Sequence, residues 1–66
     1  MNRIHVKSPI DAKRIKTFLE LRGERVHELN NGCHYPNGKI LEMGDNALCT
    51  ACDISKAFEI TMKIEG

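Results

Sequence analysis

Three stretches of this chain carry hydrophobic residues at a definite period. Ala12, Ile15, Phe18 and Leu19 recur at helical spacing and fall on one face. Ser8-Pro9-Ile10-Asp11 just ahead of them reads as a helix start. Ser8 can cap, Pro9 suits the first helical position, and Asp11 complements the positive end of the helix. Gly23 closes the segment, with Arg22 in its last turn, so a helix is expected over 9–22. Near the other end, Phe58, Ile60, Met62 and Ile64 alternate with Glu59, Thr61, Lys63 and Glu65. A period of two over that length predicts a strand with one buried face. A shorter alternation, Arg3-Ile4-His5-Val6-Lys7, predicts a second strand.

The middle of the chain is punctuated by turn signals. Arg25 to Leu29 reads as a strand and Asn31-Gly32 as a tight turn. Pro36-Asn37-Gly38 follows almost at once, then a strand-like Lys39-Ile40-Leu41-Glu42-Met43, and Gly44-Asp45-Asn46 turns the chain again. Residues 24–48 are therefore expected to hold strands and turns with almost no helix. Cys49 to Ala57 has no settled period, and Asp53 is placed to cap a single helical turn over Ile54–Ala57. The expected fold is α+β: one amphipathic helix on a small, mainly antiparallel β-sheet in which 58–65 pairs with 3–7, plus a turn-rich segment able to hold a structural zinc.

Length makes the zinc question important. The 66 residues form a single domain, 1–66, and a domain this short buries only roughly 60% of the surface its unfolded chain exposes. The aromatics are Phe18, Tyr35 and Phe58, so the core must be aliphatic. No apolar run approaches the ~20 residues that span a bilayer, and no signal-peptide core is visible. Three cysteines are too few and too odd in number for a secreted disulfide scaffold, which points to a cytoplasmic protein.

Those cysteines form a pattern, Cys49-Thr50-Ala51-Cys52 with Cys33 upstream. A Cys-x-x-Cys turn presents two thiolates to one tetrahedral ion, and a structural zinc takes four ligands. Cys33, Cys49 and Cys52 would supply three and a histidine, His27, His34 or His5, the fourth. His27 is preferred. His34 adjoins Cys33, and neighbours in extended chain point to opposite faces. His27 itself meets Cys33 only if the Asn31-Gly32 turn is loose or bulged. The competing reading is that the thiols are ordinary buried cysteines packed as small hydrophobes. A thioredoxin-like redox motif fits poorly, because such a motif opens a long helix early in a larger domain. The stretch from Cys33-His34-Tyr35-Pro36-Asn37-Gly38-Lys39-Ile40 through Leu48-Cys49-Thr50-Ala51-Cys52 is similar to the zinc finger of the DksA/TraR family of RNA-polymerase-binding regulators. The chain departs from that family where Pro36 replaces the second cysteine of the first knuckle, and it lacks the long coiled-coil arm. The likeness implies a small regulator of transcription machinery.

Charge separates two classes of partner. Residues 1–25 carry Arg3, Lys7, Lys13, Arg14, Lys16, Arg22 and Arg25 against three carboxylates, a balance of +4, while 26–66 balance at −3. The basic half suits an anionic partner, with Arg3, Lys7, Lys13, Lys16, Arg22 and Arg25 as candidate phosphate contacts. A solvated helix face explains Lys13 and Lys16 equally well. No phosphate-binding glycine loop or helix-spaced carboxylate pair is present, so catalysis is not expected. The function expected is a non-enzymatic regulatory protein contacting nucleic acid or transcription machinery. The alternative is a protein-binding inhibitor or adaptor acting through an exposed edge strand without metal, with homodimerisation open in either case.

Overall fold

Ser8 starts the first helix as its side chain allows: its Oγ accepts from the Asp11 N–H at 3.4 Å, and Pro9 occupies the first turn. The computed structural model describes residues 2–65. This helix, α1, runs Pro9–Leu21 and buries Ala12, Ile15 and Leu19. It ends where Gly23 takes φ +87° and the Glu24 N–H donates back to the Leu19 carbonyl. The strands are β1 (Asn2–Val6), β2 (Val26–Leu29), β3 (Lys39–Met43) and β4 (Met62–Glu65), and a second helix, α2, spans Asp45–Phe58.

All three strand pairings are antiparallel, in the order β2-β3-β1-β4. The element order βαββαβ with these two central strands is the split βαβ, or ferredoxin-like, topology. Register sets the layers. Ile4 lies opposite Leu41 and Ile64, Val6 opposite Met62, and Val26 opposite Met43, so these side chains share one face. Both helices cover that face, and Ile4, Val6, Leu41 and Met43 form one core with Ile15, Leu19, Ala51 and Ile54. The expected pairing of the last strand with the first holds, as do the helix in 9–22 and the strands near 3–7, 25–29 and 39–43.

The fold differs from expectation in α2. The α+β arrangement has two helices, not one. Gly44-Asp45-Asn46 is the entry to α2: Gly44 is its N-cap and Asp45 supplies an acid in the first turn. Residues 45–48 are therefore helical, against the expectation of almost no helix over 24–48. Ala47, Ala51 and Ile54 are the buried stripe, with Leu48 beside it. Two alanines make that stripe nearly invisible as a hydrophobic signal. Glu59 then takes the left-handed conformation at φ 54°, ψ 44°, so Phe58 and Ile60 belong to the helix end and its turn. The terminal strand is thus the four residues Met62–Glu65 and not the whole of 58–65.

The second sheet face is covered in its central part. His5 and Ile40 point away from the helices, yet both are buried. The β2–β3 connection, residues 30–38, folds back over them, and the His34 N–H donates to His5 Nδ1 at 2.9 Å.

Candidate interaction surface

The four residues expected to clamp zinc occupy different parts of the fold. His27 is exposed on β2, Cys33 is in the 30–38 connection, and Cys49 and Cys52 sit a helical turn apart on α2. The Cys-x-x-Cys stretch is the middle of a helix, so no backbone knuckle gathers its thiols. The sheet lies between α2 and the connection that carries Cys33. All three cysteines are free thiols. Among the described residues, no group of three or more His, Cys, Asp or Glu side chains is placed to hold a metal ion. The arrangement therefore gives the zinc clamp no support. Native mass spectrometry of the chain purified with zinc present is expected to return the metal-free mass; a zinc increment removed by a chelator would restore the clamp.

Of the six basic residues assigned to phosphate contacts, Lys13 and Lys16 line one hollow with Glu20 and Glu28, and the others are spread over other parts of the fold. Arg3 lies on the sheet face away from the helices, where its Nε donates to Glu42 Oε2 at 2.9 Å and its Nη1 lies 3.9 Å from Glu65 Oε2. Two carboxylates thus occupy a guanidinium that a phosphate would need. Lys13 and Lys16 are on α1, Lys7 follows β1, and Arg22 and Arg25 flank the α1–β2 turn. A four-stranded sheet that binds RNA presents stacking aromatics on its open face. Among the described residues no strand carries Phe, Tyr or Trp: Tyr35 is in the connection, and Phe18 and Phe58 are on the helices, so His27 on the edge strand β2 is the exposed ring the sheet offers.

Among the described residues His5 is the one buried histidine, and both its ring nitrogens are engaged. A backbone N–H can only donate, so Nδ1 accepts from His34 and the ring proton sits on Nε2, 2.7 Å from Glu65 Oε1. With neither nitrogen spare, this ring fastens β1 to β4 and to the connection.

The surface feature that sequence reading missed lies on the outside of the helix layer. Ile10, Arg14, Thr17 and Leu21 follow one another at spacings of four, three and four along α1, on the side opposite Ala12, Ile15 and Leu19. Ile10 is 74% exposed and Leu21 82%, while Phe18 is 43% and Phe58 49%. The Phe18 and Phe58 rings join the two helices across 6.1 Å, and the Arg14 guanidinium stands 5.7 Å from the Phe58 ring centre. Ile10, Lys13, Arg14, Thr17, Phe18 and Leu21 line a shallow groove of about 460 Å³. The signal was present in the sequence, since Phe18 fits the buried stripe only at its margin and Ile10 and Leu21 fall outside it. No family model, no curated protein and no solved structure matches this chain.

Proposed function

We propose that this chain is a small non-enzymatic binding protein whose partner is another protein, docked on the outside of the helix layer. The observation that carries the reading is the contiguous exposure of Ile10, Phe18, Leu21 and Phe58 on one surface. Large apolar residues scattered singly need no explanation, but a joined patch rimmed by polar groups is the composition of a protein interface. Arginine and aromatic residues are the side chains that interfaces favour, and Arg14, Phe18 and Phe58 stand together here.

The edge-strand route is weaker. β2 and β4 are the sheet edges, each four residues long and bearing charge at Glu28, Lys63 and Glu65. Short, charged edges are how sheets resist strand addition. Contact with nucleic acid or transcription machinery through Lys7, Lys13, Lys16, Arg22 and Arg25 is the second reading; its support is the exposure of Lys7, Lys13, Arg22 and Arg25. Against it stands the pairing of Arg3 with Glu42 and Glu65.

A photo-crosslinking amino acid placed at position 21 separates the readings. It is expected to capture a discrete protein species in cells, insensitive to nuclease, while the same group at position 63 captures none. Oligonucleotide titrations of the purified chain would reverse the conclusion if they gave tight, salt-dependent binding lost in Lys13→Glu/Lys16→Glu.

A further inference from the structure

We infer that the occupant of the α1 groove is an amphipathic helix with acidic flanks, supplied by a different protein. The inference rests on the protein-binding reading above and adds the chemistry of the partner. Shape comes first. The outer stripe runs from Ile10 to Leu21 along the axis of a straight helix, a distance of about 16 Å at 1.5 Å per residue. A straight apolar furrow beside a helix is matched by another helix, whose backbone polar groups are already satisfied and which offers side chains at the same spacing. An extended segment laid there would leave its own amides without partners, because α1 spends its backbone groups internally.

Charge then selects among helices. The groove lining contains two cations, Lys13 and Arg14, and no carboxylate. The adjoining hollow between the helices adds Arg22, beside Asp53. Asp11 offsets part of this, since its carboxylate lies 3.7 Å from Arg14 Nη1. On its far side Lys13 borders a second hollow with Lys16, Glu20 and Glu28, yet among the described residues it makes no ion pair within 4 Å. Acidic side chains flanking the partner's apolar stripe would meet Lys13 and Arg14 as each helix docks.

The same charges disfavour a second copy. A two-fold antiparallel pairing of α1 with α1 would set Ile10 against the mate's Leu21. It would also bring Lys13 and Arg14 of both copies into one partly desolvated seam. Like charges brought together across an interface oppose assembly, and Asp11 beside Arg14 offsets only part of them.

The test uses two synthetic helical peptides of roughly 18 residues, long enough to hold helical structure. They share one leucine stripe; one is flanked by glutamate and the other by lysine. Fluorescence anisotropy with the full chain is expected to show binding of the glutamate peptide alone, with backbone amide shifts confined to α1 and the end of α2. Lys13→Glu/Arg14→Glu is expected to weaken that binding roughly tenfold or more, and Leu21→Asp to abolish it. These positions are exposed, so the variants are expected to retain the fold, which circular dichroism checks. Equal binding of both peptides would overturn the acidic partner and leave the protein-binding reading standing. Binding of neither, with a dimer in sedimentation that Leu21→Asp disperses, would make the occupant a second copy. Binding of neither by a monomer overturns the helical partner; the crosslink at position 21 then decides whether the protein-binding reading falls with it.

Discussion

Leu41→Ala is expected to remove about 3 kcal/mol of folding free energy, whereas Leu21→Ala is expected to remove less than about 0.5 kcal/mol. The two substitutions delete the same atoms and differ only in where the fold puts them. Leu41 is 0% exposed on the central strand β3, with Ile4 beside it on β1, and it belongs to the core that the helices cover. Truncation there leaves a cavity that a sheet held on both sides cannot collapse. Leu21 is 82% exposed at the end of α1 and leaves nothing behind. The difference is large against the whole: a chain of 66 residues has roughly 3–10 kcal/mol to lose. Thermal unfolding followed by circular dichroism should show Leu41→Ala melting roughly 10–20 °C below the parent, or unfolded outright, with Leu21→Ala close to the parent. Similar shifts for both would mean that the α1 outer face is packed in the isolated chain, and the interaction surface would lose its basis.

The same contrast is written partly in the sequence. β3 and α1 were legible because each has strong, regular signals. Ser8-Pro9 caps and starts α1, its core stripe repeats at three and four, and β3 is a compact apolar run between turn residues. α2 was not legible because its buried stripe is built on Ala47 and Ala51, which score little as hydrophobes. Its Cys-x-x-Cys also invited a metal reading in which the backbone must turn. The last strand was overread for a related reason. The alternation of 58–65 is real, but Glu59 enters the left-handed region, so Phe58 closes a helix instead of opening a strand. Local period does not register one residue at positive φ. For the basic residues, charge counts gave the sign of the N-terminal half but not the pairing of Arg3 with Glu42 and Glu65, which depends on strand register.

The connection over the second sheet face yields the other large effect. Gly38→Ala is expected to cost about 1–3 kcal/mol and to lift residues 30–38 off the sheet. Gly38 is buried at the foot of the connection, and its N–H donates to the Tyr35 carbonyl at 3.0 Å. A methyl group there would stand 2.5 Å from the Val6 carbonyl oxygen, 2.9 Å from Cys33 Sγ and 3.1 Å from Tyr35 Cβ. The closest of these atoms is backbone of a central strand, paired on both sides, and it has no freedom to retreat. Relief must come from the connection. Moving it breaks the bond from the His34 N–H to His5 Nδ1 and opens His5 and Ile40 to water. A buried nitrogen stripped of its donor adds to the penalty. Two measurements check this. Urea unfolding should show the lowered midpoint, and amide exchange should show the His34 N–H losing protection while amides of β1 and β3 keep theirs. Cys33→Ala in the same chain removes the sulfur contact but leaves the Val6 carbonyl in place, so only a minor part of the loss should return. Full rescue would show that the thiol alone sets the fit of the connection, and that β1 yields where the geometry says it cannot.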